Sequence, residues 1–193
     1  MPEAPVMEKV VLKSKDQSAA IPTIIGWAAA QMYWSEGPDF DLMIFGKKAD
    51  GSPFACYTNL LGGALGVLDA DGYQHAGDTG VDRGVEATGE DDEEVKFTAE
   101  FLKTMEILHV VIVNYTGAKA KDGTSFGAYK VRFEMSVDGT TVIEAKLDNP
   151  LPGHYAHVVD IIGGESPTVK KVDAVLSKEQ YEALPGPPPV LAR

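Results

Sequence analysis

The sequence predicts an all-β protein, a single β-sandwich of about nine or ten short strands with a short C-terminal helix. Apolar or alternating segments recur along the chain, turn residues separate them, and helical periodicity is rare. A hydrophobic content of 44% is sufficient for a sizeable core. We predict one domain over residues 1–184, followed by a proline-rich tail over residues 185–193.

The first predicted strand covers residues 6–14, which are rich in β-branched side chains. Residues 21–34 are apolar, but Pro22 and Gly26 disfavour a helix. We therefore predict a strand pair or a long bent strand there.

The clearest hairpin prediction is in residues 39–59. Residues 39–47 begin with acidic and apolar side chains in alternation, as in a half-buried strand. A turn at residues 49–52 then leads into a returning strand over residues 53–59. One face of the first strand is expected to hold Phe40, Leu42 and Ile44.

The glycine-rich residues 60–67 are predicted to form a tight, buried connection, since they lack the lysine of a phosphate-gripping loop. Residues 69–72 resemble the start of a calcium loop. Tyr73 and Gly80, however, occupy positions where an EF-hand needs ligands. A turn is the favoured interpretation.

In the C-terminal half, residues 95–101 alternate and predict a strand. Residues 106–115 are the most hydrophobic run and predict a central strand. Residues 125–137 and 141–147 predict a hairpin around the turn dipeptide Asp138-Gly139.

Two further strands are predicted over residues 155–162 and 168–175. Residues 177–184 predict a short helix, capped by Ser177 with Gln180 at the reciprocal position. The prolines that follow are expected to leave the tail extended and exposed.

Composition restricts the classes of partner. A net charge of −12 and a pI near 4.7 disfavour nucleic acid and anionic membrane surfaces and favour cations. Cys56 is the single cysteine, so no intrachain disulfide forms. Neither a signal peptide nor a membrane-spanning run is recognisable. We expect a soluble, cytoplasmic protein.

Residues 77–94 form a glycine-punctuated acidic segment, with Arg83 as its basic residue. Crowded carboxylates repel one another unless a cation lies among them, and Ca²⁺ takes about six to eight oxygen ligands. A solvated acidic loop is the competing interpretation. The predicted ligands, including an acidic pair on one strand face and a nearby amide, are Asp39, Asp41, Asn59, Asp78, Asp91, Asp92 and Glu93.

The chain resembles the tellurium-resistance (TerD) family over about residues 24–147. The resemblance is carried, in order, by Gly26-Trp27, Asp39-Phe40-Asp41-Leu42, Tyr57-Thr58-Asn59-Leu60, His75-Ala76-Gly77-Asp78, Gly89-Glu90-Asp91-Asp92-Glu93 and Ser125-Phe126-Gly127. It implies a bacterial β-sandwich that binds Ca²⁺ through acidic loops and functions in the response to tellurite and other stress. It implies partner proteins of the same stress system and no catalytic residues.

This chain departs from the family pattern at several positions. Met43 replaces the last aspartate of Asp-Phe-Asp-Leu-Asp, and Thr79 stands where asparagine is usual. The segment between Asp78 and Asp91 is longer than usual, and the C-terminal aromatic-basic segment is missing. These changes imply the loss or weakening of one Ca²⁺ site.

Three functions remain open from the sequence. The first is a non-enzymatic, calcium-binding stress-response protein, or a divergent member that has lost the metal and acts as an interaction module. The second is a Ca²⁺-dependent recognition domain, for which Tyr73 is the nearby aromatic residue. The third is a metal-assisted hydrolase, although no nucleophile arrangement is recognisable.

The remaining chemically distinctive residues have modest predicted roles. His75 is expected to support the acidic loop by hydrogen bonding. His154 and His157 invite a zinc interpretation, but residues three apart in a regular strand face opposite ways. Cys56 is predicted to be a small buried hydrophobic residue.

Overall fold

The fold is known from a computed structural model, which describes residues 8–35, 40–58, 62–77, 90–114 and 126–188. Within these ranges twelve strands form two six-stranded sheets, which confirms the all-β sandwich. The polar residues 119–123, whose sequence predicts a turn, lie outside the described residues.

The first sheet, which we call sheet 1, has the strand order β1-β10-β9-β3-β7-β6. Its central strands pair antiparallel, whereas β1 pairs with β10 in parallel. The strands are β1 (Val10–Leu12), β3 (Ala28–Ser35), β6 (Tyr73–His75), β7 (Glu90–Phe97), β9 (Arg132–Val137) and β10 (Thr140–Lys146).

The second sheet, sheet 2, is antiparallel and has the order β2-β12-β11-β8-β4-β5. The predicted central strand is confirmed, because β8 lies between β11 and β4. The strands are β2 (Ser18–Ala20), β4 (Phe40–Lys48), β5 (Pro53–Tyr57), β8 (Met105–Asn114), β11 (Tyr155–Ile162) and β12 (Thr168–Leu176).

The main core lies between the two sheets. The β4 side chains that the sequence predicted for one face, among them Leu42 and Ile44, lie in this core. Residues of β7 and β11 pack with them, including Val95, Phe97 and Val159. Burying a large apolar side chain contributes about 1.5–3 kcal/mol, so these inward rows hold the sheets together.

The predicted Asp138-Gly139 turn is present between β9 and β10. Both residues have positive φ, 48° and 84°, as the tight hairpin turn requires. The Asp138 carboxylate also accepts hydrogen bonds from the backbone N–H groups of Ile25, Gly26 and Trp27, at 3.0, 2.7 and 3.0 Å. The same residue therefore forms the turn and anchors the chain just before β3.

Several local predictions were wrong. Residues 126–129, predicted as the start of a strand, form a 3₁₀ helix (Phe126–Tyr129), and β9 begins only at Arg132. Residues 98–101 do not continue β7, because the Thr98 side chain accepts from the Phe101 N–H and begins α2 (Ala99–Thr104). The 69–72 turn is a one-turn helix, α1 (Leu68–Asp71), ended by Gly72. The described part of the 60–67 connection is not buried, since Val67 is 56% exposed.

The C-terminal segment covers the outer face of sheet 2. The predicted capping box is confirmed, with Ser177 and Gln180 bonding reciprocally at the start of α3 (Lys178–Glu182). Tyr181 of α3 is fully buried, stacks on Tyr155 at 4.4 Å between ring centroids and contacts Phe45 at 5.5 Å.

The described part of the tail, residues 185–188, is only partly exposed, although the sequence predicted an exposed tail. Pro188 is buried, and its carbonyl accepts a hydrogen bond from the Tyr181 hydroxyl at 3.1 Å. Gly186 lies so close to β4 that an added Cβ would be 2.7 Å from the Gly46 carbonyl oxygen. The prolines cannot extend α3, and burial increases along the segment, from exposed Pro185 through half-buried Pro187 to buried Pro188.

We expect Tyr181→Ala to lower the free energy of unfolding by about 3–5 kcal/mol, because a buried aromatic side chain is lost. Urea denaturation measures the change. Lys178→Ala, at an exposed position of the same helix, should alter it by less than about 0.5 kcal/mol. A loss below about 1 kcal/mol for Tyr181→Ala would show that the segment does not hold the sheet face.

Candidate functional site

The ends of four strands meet at one end of the sandwich, which we call the acidic end. Strand β4 begins there at Phe40 and β5 ends there, because Met43 pairs with Tyr57. Strand β6 ends there and β7 begins there, because His75 pairs with Val95. Among the predicted acidic ligands, Asp41, Asp91, Asp92 and Glu93 lie within the first four residues of β4 and β7, and Asp39 directly precedes β4 in the sequence.

A hydrogen bond from β4 to β7 joins the two sheets at the acidic end. Glu93, 1% exposed, points inward like its core neighbours on β7, and its Oε2 accepts the Leu42 N–H at 2.6 Å. The β4–β5 register would place Thr58 opposite Leu42, but the Thr58 carbonyl accepts from the Gly63 N–H at 3.1 Å instead. Glu93 therefore takes the place of β5 beside Leu42, whose partner on the other side is Ile112 of β8.

His75 provides a partner for the other backbone group of Leu42, its carbonyl oxygen. Its Nε2 lies 3.2 Å from the Leu42 carbonyl oxygen, and its Nδ1 lies 3.0 Å from the Gly77 N–H, which it accepts. These partners require the tautomer with its proton on Nε2. The predicted supporting role of His75 at the acidic loop agrees with this geometry.

The structure places the described predicted ligands at the acidic end, but on different faces. Asp41 alternates with the core residues of β4 and is directed to the outer face of sheet 2, 5% exposed. Glu93 lies between the sheets, and Asp92 is exposed beside it. Asp39, Asn59 and Asp78 lie outside the described residues, as does the side chain of Asp91.

Tyr73 does not belong to the acidic end. It is paired with Phe97 at the other end of β7 and packs against Phe54 and Phe101, at 4.9 and 5.3 Å between ring centroids. The aromatic residue that a Ca²⁺-dependent recognition site was expected to use therefore lies level with Phe97, which is four residues, or about 13 Å, along β7 from Glu93.

A second group of polar side chains, which sequence reasoning missed, lies on the outer face of sheet 2. His109 of β8 and His157 of β11 both contact Asp160, their Nδ1 and Nε2 atoms lying 2.7 and 2.6 Å from its Oδ1. Both histidines are 5% exposed. We call these three residues the histidine cluster.

A β-bulge explains why the histidine cluster was not predicted. His157 and Asp160 are three residues apart and would face opposite ways in a regular strand. The register of β11 shifts between His157 and Val159 against both neighbouring strands, so Val158 and Val159 are both buried in the core. The sequence signal was the three-residue spacing of His157 from Asp160, but the register shift itself is seen only in the pairing of β11 with β8 and β12.

Burial alone would raise the pKa of Asp160, but the hydrogen bonds from His109 and His157 outweigh it and lower the pKa to about 2. The Asp160 side chain is 15% exposed, so solvent reaches the cluster on that side. The carboxylate is ionised at neutral pH, and each imidazole donates one proton to it in the neutral form.

No protein-family model matches the chain, and no curated protein matches it. Among solved structures, the fold is similar to that titled "Crystal structure of unknown function protein SAV2460". The TM-score is 0.51 at 15% identity, over 80% of this chain and 94% of that chain. At this identity the similarity concerns the fold alone, and the tellurium-resistance resemblance stays a prediction.

In the described part of the chain, no helix is long and apolar enough to cross a membrane.

Because of Asp160, the free energy of unfolding is expected to fall at acidic pH. Its pKa is lowered on folding, so its contribution is fully present above about pH 4 and is lost as the pH falls toward 2. A shift of this size corresponds to roughly 2 kcal/mol. Urea denaturation between pH 7 and pH 3 should show the wild type losing its advantage over Asp160→Asn below about pH 4.

Asp69→Asn, which removes an exposed carboxylate elsewhere, should follow the wild-type acid profile. An Asp160→Asn variant that stays parallel to the wild type over this pH range would contradict the assignment.

Proposed function

We propose that this protein is a non-enzymatic, calcium-binding protein of the stress-response type, in which Ca²⁺ binds at the acidic end. The observation that supports the proposal most is the meeting of four strand ends, with buried Asp41 and Glu93 and exposed Asp92 among the carboxylates brought there. A hard cation with oxygen ligands is the partner that such a concentration of negative charge favours.

The hydrogen bond between Glu93 and Leu42 supports the proposal. Because Glu93 already holds β4 against β7, the acidic end has a rigid base on which flanking carboxylates can converge. Binding of an ion to this native arrangement, and not to the unfolded chain, would stabilise the fold in proportion to its occupancy.

The resemblance in sequence supports the same function, and it adds the cytoplasm and partner proteins of a bacterial stress system to the proposal. A chain with Cys56 as its single cysteine fits a reducing compartment. Burial in the core raises the pKa of the Cys56 thiol to about 12, which keeps it protonated and unreactive.

The proposal predicts that Ca²⁺ raises the thermal midpoint of the chelated protein and that Mg²⁺ at the same concentration does so far less. At a free concentration of about 100 times Kd, the stabilisation is about 2.7 kcal/mol. Differential scanning fluorimetry of the full chain measures it. The Asp91→Asn/Asp92→Asn variant should lose most of the Ca²⁺ response.

Asp69→Asn/Glu100→Gln is the matched control, because it also removes two carboxylates but at the other end of the sandwich, where both residues line the cavity beside α1 and α2. It should keep the wild-type Ca²⁺ response. No shift with millimolar Ca²⁺, or an equal loss in both double variants, would overturn the proposal. The first of these results would favour an interaction module without metal.

A further inference from the structure

The histidine cluster has the composition and the compactness of a transition-metal site. One donor atom from each of His109, His157 and Asp160 lies within 4.8 Å of the other two. Among the described residues, this is where three such donors come together. We propose that His109 Nδ1, His157 Nε2 and a carboxylate oxygen of Asp160 bind a divalent ion of the zinc type, with water as the remaining ligand.

The donor set favours zinc over calcium. Two imidazole nitrogens and one carboxylate oxygen suit Zn²⁺ and its first-row neighbours, whereas Ca²⁺ takes oxygen ligands. Three protein ligands leave the fourth position of a tetrahedral ion for water. The partly exposed side of Asp160 is where that water can enter.

The distances require only a small adjustment. Zn–N distances of about 2.0–2.1 Å in a tetrahedral site separate neighbouring ligand atoms by roughly 3.3 Å. The two nitrogens are now 2.7 and 2.6 Å from Asp160 Oδ1, so the cluster must open by about 0.6 Å. Rotation about the side-chain torsions of Asp160, which is partly open to solvent, is sufficient for a movement of this size.

The backbone holds the three side chains on one face. His109 lies directly opposite Asp160 in the pairing of β8 with β11. The bulge after His157 turns that histidine to the same face, and the two imidazoles meet edge to face at 5.0 Å between ring centroids. A bulge beside a site commonly re-aims a side chain in this way.

The surrounding charges leave Asp160 available to an ion. Lys170, which pairs with Asp160 across β11 and β12, is bonded to Asp16 at 2.8 Å between Nζ and Oδ1. Lys170 is therefore held by Asp16, which leaves the Asp160 carboxylate to the histidines or to an ion.

The second nitrogen of His109 sets the expected affinity. When Nδ1 binds the ion, the imidazole proton moves to Nε2, which is buried and has no hydrogen-bond partner among the described residues. Metal-bound histidines usually donate that proton to an acceptor, and loss of such support weakens binding about 10–100-fold. We expect micromolar rather than nanomolar affinity.

The histidine cluster is separate from the acidic end. Phe45, which pairs with His109, is four residues along β4 from Asp41, or about 13 Å. The two sites differ in ligand chemistry as well, so the zinc proposal does not depend on the calcium proposal. Excess Ca²⁺ should leave zinc binding unchanged.

The test is a zinc titration of the tag-free full chain after chelation, read by competition with a chromophoric chelator. We expect one Zn²⁺ per chain at neutral pH. His109→Gln and His157→Gln should each weaken binding by at least about 10–100-fold, because removing a ligand costs more than removing its support. His154→Gln, which removes the histidine directly before β11, should bind Zn²⁺ as tightly as the wild type.

A second measurement on the wild type does not depend on whether the variants fold. Co²⁺ should broaden the imidazole NMR signals of His109 and His157 at one equivalent, and those of His75 and His154 far less. Absence of Zn²⁺ binding at about 100 μM, or equal affinity in the wild type and His157→Gln, would overturn the proposal. So would Co²⁺ broadening that begins at His75.

Discussion

The hydrogen bond between the buried Glu93 carboxylate and the Leu42 N–H is the constraint on which the acidic end depends. It lies where β5 stops pairing with β4 and where an unpaired, buried N–H would cost about 1–3 kcal/mol. His75 meets the Leu42 carbonyl in the same way. Two side chains of sheet 1 thus complete the backbone pairing of sheet 2 and fix the spacing of the sheets at this end.

The outer face of sheet 2 carries the second distinctive feature of the molecule. Its apolar part is covered by Tyr181 and the segment that follows, while the histidine cluster continues the same face beside Phe45. The outer face of sheet 1 is polar by contrast, with contacts such as Gln31 to Glu94. The histidine cluster and the acidic end therefore lie about 13 Å apart along β4, with imidazole ligands at one place and carboxylates at the other.

Local sequence rules predicted the features whose partners are near in the chain. The Ser177 capping box and the Asp138-Gly139 turn are examples, because their geometry is set within a few residues. The helix at Phe101 was missed because alternation continues past the Thr98 cap. The histidine cluster and the role of Glu93 depend on strand register and on partners about 50 residues away, which no local pattern reports.

Native-state hydrogen exchange at the Leu42 amide tests the central claim most directly. If Glu93 replaces the missing strand, the Leu42 amide should be as protected as that of Ile44, which pairs with Cys56 within the sheet. Glu93→Ala should remove the protection of Leu42 while leaving that of Ile44 in place. Fast exchange of the Leu42 amide in the wild type, at the rate of an open loop, would contradict the account.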